Sequence, residues 1–498
     1  MLLSFLIKGV GIMSTLNKPK FKKLAYSSFG GAPLVKSLWD RFDLSLLMAQ
    51  IGMHKKSGVP TWQLAFLLVI GLLAQCSSCS KTVEFYSKEG LLQAMFSHKR
   101  VTQSVLSRFM VSAFRWDLFH LKRVRQFQLD EETKLVDGDV VALDDTLVVH
   151  EHAAKMPFLY RLFDHCTNTY VKAMNLVVIH ARKANGLQYP LFYSVWNKEK
   201  ESEIHLTKLN LALQMLQSLK KQLPCPVRLC VAMDSWYFVK SLYLEIEKLE
   251  FDWVTKARKN TLLYRKVMIR GKERFIEILP KALFKEAKPI FAFWRKKKSV
   301  CMAFKDIYIK IDEIHNGQGY LKRPILKPVS AVVTANLQED LEQGDAKGTF
   351  ALLLSNNTDF TAVEVVQKYK RRWSIEVFFR NAKQELGLND CHSTNENHNH
   401  AHLSILFTAE ALVRFAQWKY NHQKTDTKEE ITHGQVIDLL FHIRCEVNAK
   451  SKDSIQVYFD TTAKLFATFF REFWPPQLRM AWFDMDYNGN WNIVPESG

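Results

Sequence analysis

Four polar residues, Tyr369, Arg372, Glu376 and Lys383, have a spacing that an ordinary solvated helix seldom produces. At about 100° per residue they fall within roughly 60° of one another on one side of a helix. Ile375, Phe378, Phe379, Ala382 and Leu386 lie on a different side and supply an apolar face for docking on a core. A carboxylate flanked by a phenol, a guanidinium and an ammonium suits a metal ion at one point and phosphates around it. A plain amphipathic helix with a salt-bridged outer face has the same pattern, so the remaining elements must decide.

Two further acids stand where elements would position them. Val140 to Val149 is a β-rich run interrupted by the adjacent carboxylates Asp144 and Asp145, which buried strands do not normally tolerate. A second strand is expected over Asn175 to Ala181, then an Asn185-Gly186 hairpin turn and a third strand over Gln188 to Trp196. A helix over about Glu203 to Leu219 precedes a buried-looking strand, Val227 to Asp234, whose last residue is an acid. A helix to about Glu250 and a fifth strand over Phe251 to Thr255 follow. The order β-β-β-α-β-α-β is that of an α/β, ribonuclease-H-like core, three antiparallel strands extended by parallel ones. First and fourth strands are neighbours in such a sheet, so Asp144 and Asp234 can meet, and the later helix brings in Glu376. Three oxygen ligands without thiolates suit Mg²⁺ or Mn²⁺. Such ions support in-line displacement at phosphorus, which is phosphoryl transfer on nucleic acid.

Asp144-x-Thr146 on a strand, Asp234-Ser235-Trp236-Tyr237 after a strand, and Tyr369-x2-Arg372-x3-Glu376-x6-Lys383 on a helix resemble the cut-and-paste DDE transposases of the insertion-sequence-four family. The resemblance covers roughly Asp139 to Phe415 and includes a β-rich insertion between the second Asp and the Glu. It implies that Asp144, Asp234 and Glu376 hold the metal, and that Tyr369, Arg372 and Lys383 engage phosphates and displaced nucleotide at a transposon end. It implies double-stranded DNA as partner, a homodimer pairing two ends, and joining of a freed 3′-hydroxyl to target DNA. The Asp-x-Thr pattern selects Asp144, leaving Asp145 on the opposite face of the strand.

Composition limits the alternatives. The net charge of +19 over 498 residues points to an anionic partner. It is concentrated: Lys256 to Lys327 holds 20 Lys and Arg against 6 Asp and Glu. Within that stretch Trp294-Arg295-Lys296-Lys297-Lys298 can stack on a base and hold its backbone, although burial of the ring is an equal reading. The longest apolar run, Leu64 to Ala74, is too short to span a bilayer, and Leu2 to Ile7 lacks the features of a signal peptide, so no membrane association is expected. Eight scattered cysteines, including a lone Cys76-x-x-Cys79 pair read as packing, fit a reducing, cytoplasmic setting. His392, His398, His400 and His402 are read as structural or backbone-binding rather than as a metal cluster.

The expected organisation is a poorly structured segment at 1–32 and a helical DNA-binding domain at 33–135, in which Thr102 to Arg115 can present polar residues to a groove. Core segments follow at 136–256 and 349–390, separated by a basic, β-rich insertion at 257–348 without a long helix. The end, 391–498, is expected to be helical, to about Phe473. Thr361-x-x-Glu364 is a capping box for a single helix reaching Gly387. Two other readings stay open: a nuclease of the same fold without strand transfer, and a non-catalytic DNA-binding derivative.

Overall fold

Residues 24–96, 99–198, 206–315, 322–337, 350–422, 430–451, 454–459, 483–485 and 491–493 are described in the computed structural model of the chain. They belong to two compact units, one formed by 1–37, 83–101 and 437–498 and the other by 38–82 and 102–436. These units cut across the boundaries expected at residues 33, 135 and 391.

In the first unit, strand β1 (Leu24–Ser27) pairs antiparallel with Cys445–Ser451, which pairs with Ser454–Phe459. The wholly helical C-terminal region is therefore corrected. A helix cannot form where alternate residues such as Cys445 and Val447 bury into one face of a sheet. The expected helix over 460–473 and the segment 1–23 lie outside the described residues, and the expected disorder does not extend to β1. Glu89 is buried here and accepts from the amides of Ser28, at 2.9 Å, and Phe29, at 3.3 Å. Those donors satisfy a carboxylate that would be costly to bury alone.

The second unit is built on a large mixed sheet. Its first strand, β2 (Val140–Val149), pairs antiparallel with β4 (Thr169–Arg182), and β4 with both β3 (Tyr160–Asp164) and β5 (Gln188–Trp196). On its other edge β2 runs parallel to β6 (Cys230–Met233), which runs parallel to β7 (Asp252–Lys256). Helices Lys208–Gln222 and Lys240–Lys248 make the crossovers. Of the extended elements read from the sequence, β2 and β5 have the expected bounds. The strand expected at 175–181 is longer, and β3 was not expected.

The insertion differs most. Hairpin β8 (Leu263–Ile269) and β9 (Lys272–Ile278) leads into a helix, Pro280–Phe293, and then to the long pair β10 (Val300–His315) and β11 (Lys322–Ala335). The expectation of no long helix is corrected. Pro289 argues against a helix, but Pro280 at its start and the stripe Leu283, Ala287 and Phe291, all buried, outweigh one missing hydrogen bond. β11 pairs with β12 (Ala351–Ser355), and β12 returns to β7, so the insertion continues the main sheet.

Over this sheet lie the helices Ala362–Arg371 and Trp373–Gln384. The single expected helix is thus divided at Arg372, where the amide of Arg372 donates to the Tyr369 carbonyl and that of Ile375 to the Arg372 carbonyl, at 3.0 and 3.1 Å. Such i to i+3 bonds tighten the turn without reversing it. Ile375, Phe378, Phe379, Ala382 and Leu386 are buried. Val365 joins Val140, Cys230, Ala232, Val254, Val332 and Leu353 in a core that binds helix to sheet, with Tyr369 packed at its edge. The N-terminal helices, including Thr61–Leu73 and Gln103–Val111, and the buried helix Glu396–His422 complete the unit.

Candidate active site

Register positions the first two acids. In the parallel pair, Leu143 lies opposite Met233, and the next residue along each is an acid, Asp144 on β2 and Asp234 just past the end of β6. The carboxylate of Asp234 is fixed through Oδ1, which accepts from the amides of Trp236 at 2.8 Å and Tyr237 at 3.3 Å. The Thr255 hydroxyl and the Arg258 guanidinium hold the same turn by its Asp234 and Ser235 carbonyls.

Glu376 reaches this point from the docked helix. Arg372 Nη1 donates to Asp144 Oδ2 at 2.7 Å while Nη2 donates to Glu376 Oε1, so one guanidinium bridges acids from strand and helix. Its carbon lies 5.8 Å from the centre of the Tyr369 ring. Burial works against the Arg372 charge, but Asp144, Tyr369 and Glu376 outweigh it and raise its pKa. Asp144 is pushed up to about 7, by burial first and also by Asp234 and Asp145, with Arg372 acting in the opposite direction. Burial likewise raises the Tyr369 phenol, with Asp234 and Glu376 adding to it against Arg372. Two acids and a phenol thus share one guanidinium, with Asp234 adding negative charge nearby, an environment short of positive charge.

Asp145 faces the other way. Its carboxylate accepts from Tyr237 Oη at 2.9 Å, Asn175 Nδ2 at 2.7 Å and Lys208 Nζ at 2.7 Å. None of these partners was singled out from the sequence for such a role. Tyr237 stands in the quoted Asp234 motif, and that proximity was the available signal. Asn175 and Lys208 come from elements distant in sequence and gave none.

The remaining expected residues are placed differently. Lys383 is two turns beyond Glu376, about 10 Å along the axis. Burial lowers its pKa, and Asp164 and Cys166 beside the β3–β4 turn act in the opposite direction. Trp294 follows the insertion helix, half-buried beside Phe291, with Lys297 Nζ 4.8 Å from its ring centre. Arg295, Lys296, Lys297 and Lys298 are exposed. The histidines have separate polar or ring partners: His402 meets the Gly387 carbonyl at 3.1 Å, His392 packs on His150, and His400 lies 3.8 Å from Glu396, while His392, His398 and His402 line one cavity.

Among the described residues no three His, Cys, Asp or Glu side chains stand close enough to hold an ion as they are. The donor chemistry nevertheless suits a hard cation, because Asp144 and Glu376 already share a positive group, the guanidinium of Arg372. Among the described residues no helix is long and apolar enough to cross a membrane.

The chain is 29% identical over 107 residues to the "Probable transposase for insertion sequence element IS5377" of Geobacillus stearothermophilus, a match covering 22% of this chain and 28% of that protein. The chain thus spans little more than a quarter of the curated relative it matches. Residues 136–411 match the family described as "Transposase DDE domain", a span containing all three acids, the insertion and both signature helices, and the chain belongs to that family.

Proposed function

We propose that the protein is a transposase that binds the ends of a DNA element, cleaves the flanking phosphodiester and joins the freed 3′-hydroxyl to target DNA. The observation carrying this reading is the bridge from Asp144 through Arg372 to Glu376, with Asp234 one register step beyond Met233 on the adjacent parallel strand. The strand order of β5, β4, β2, β6 and β7 supports a ribonuclease-H-like core, and the full tyrosine, arginine, glutamate and lysine spacing supports the insertion-sequence-four group.

Asp144, Asp234 and Glu376 would hold Mg²⁺ or Mn²⁺, which when bound makes the attacking oxygen more acidic and stabilises the leaving one. In this reading Arg372 releases the carboxylates and turns to a DNA phosphate, a planar guanidinium being suited to either partner. Tyr369 orients that guanidinium from its edge position on the core. Lys383, displaced along the helix, contacts a different part of the DNA end. Trp294 and the basic run Arg295 to Lys298 hold DNA with little sequence preference and strong salt dependence. Pairing two ends calls for a homodimer on DNA, and the protein acts in the cytoplasm, where its DNA lies.

The test is incubation with DNA carrying the element's own ends and Mg²⁺, comparing wild type with Glu376→Gln. Nicked and joined products from wild type and neither from the variant are expected. Equal cleavage by both sinks the mechanism, and nicking without joining selects the nuclease reading.

A further inference from the structure

Backbone pairing between β2 and β6 ends at Leu143 and Met233, so no ladder hydrogen bond fixes Asp144 against Asp234. The link lies on the other face of the sheet. Tyr237 is bonded at both ends: its amide donates to Asp234 Oδ1 at 3.3 Å and its hydroxyl to Asp145 Oδ1 at 2.9 Å. A single rigid side chain, 1% exposed, therefore joins the turn that carries one acid to the residue next to the other.

We propose that Asp145 is a positioning residue which, through Tyr237 and Lys208, holds the Asp234 turn at a fixed offset from Asp144. The inference rests on the reading of Asp144, Asp234 and Glu376 as ligands of a divalent cation. Asp145 Oδ2 takes Asn175 Nδ2 from the neighbouring strand and Lys208 Nζ from the start of a crossover helix. The carboxylate is thereby tied to three elements at once. Lys208 Nζ also lies 5.3 Å from the ring centre of Trp236, the residue whose amide makes the shorter bond to Asp234. Both amides that grip Asp234 thus belong to residues anchored from the Asp145 side. Supporting contacts of this kind orient metal-binding carboxylates, and losing one typically weakens metal affinity about 10- to 100-fold.

The experiment is a Mn²⁺ titration of DNA-free protein followed by electron paramagnetic resonance, beside thermal melting and DNA nicking. Tyr237→Phe removes only the hydroxyl; it is expected to weaken Mn²⁺ binding about 10-fold while nicking recovers at saturating Mn²⁺. Asp145→Asn should weaken binding at least as much, and the double variant no more than Asp145→Asn alone, because both act through one bond. If Asp145→Asn melts far below wild type, Lys208→Met takes its place as a single variant, and the double-variant comparison is left to Asp145→Asn. Wild-type Mn²⁺ affinity in Tyr237→Phe, or fully multiplicative losses in the double variant, overturns the inference. If Asp234→Asn and Glu376→Gln abolish binding while Tyr237→Phe binds Mn²⁺ with wild-type affinity, only the positioning role falls. If those two variants bind Mn²⁺ normally, the ligand assignment falls and the inference falls with it.

Discussion

Asp144 is a carboxyl held against its ordinary preference, and that makes its replacement by asparagine informative in the metal-free protein. Its pKa stands at about 7 against an ordinary 3.8, because burial and Asp234 outweigh Arg372. The folded state therefore binds a proton more tightly than the unfolded chain. The stability from that proton is complete below pH 4 and is lost as pH rises through 7. Over the whole window the loss is about 4 kcal/mol, at 1.36 kcal/mol per pH unit. Asparagine resembles the protonated carboxyl at every pH and can still accept from Arg372. Asp144→Asn should then be about 4 kcal/mol more stable than wild type at pH 8, but only about 2 kcal/mol at pH 5. The unit holding the site has roughly 380 residues, which gives an unfolding entropy of about 0.8 kcal/mol per degree. In calorimetry with chelator present, the variant should melt about 5 °C above wild type at pH 8 and about 2 °C above it at pH 5. Added Mn²⁺ should raise the wild type and leave the variant unmoved, since a ligand stabilises only the state that binds it. A variant that melts below wild type equally at both pH values refutes the reasoning, because Asp144 would then be a carboxylate satisfied by Arg372.

Other expectations concern what holds the site in place and what it grips. Phe378 is fully buried, 5.2 Å from Phe407 and 5.5 Å from His180 between ring centres; Phe378→Ala should cost about 3 to 5 kcal/mol in denaturant unfolding. Thr361 caps its helix by accepting the Glu364 amide at 3.3 Å while Glu364 accepts the Thr361 amide at 2.8 Å. Thr361→Ala should lower stability by about 1 kcal/mol, and an unchanged midpoint would show the box to be redundant. Replacing Arg295 through Lys298 with alanine should flatten the plot of log affinity against log salt by about 3 to 4, measured by anisotropy on a DNA duplex. An unchanged slope places the DNA elsewhere.

Local signals carried much of the fold. The β-branched run of β2 and the aromatic-rich run of β5 determined both strands, and the apolar stripe from Ile375 to Leu386 determined which helix face would be buried. The Thr361 capping box set the start of the signature helices. Where neighbours far along the chain decide the conformation, the signal weakened. β3 exposes much of its surface and exists because β4 is beside it. Helix Pro280–Phe293 survives Pro289 through burial that no local propensity reports. The strands after Cys445 form against β1, more than 400 residues earlier.

The candidate site divides in the same way. Sequence alone determined which acids, phenol, guanidinium and ammonium are present and that their spacing suits one face, because helical and strand periods are local properties of the backbone. Only the tertiary structure decided that Arg372 sits between Asp144 and Glu376, that Lys383 faces Asp164 and Cys166 instead, and that Asp145 is bound on the far side by Asn175, Lys208 and Tyr237. Adjacent aspartates on a strand are equivalent until something packs on one face of the sheet. The docked helix breaks that equivalence, and it does so through contacts more than 200 residues apart in the chain.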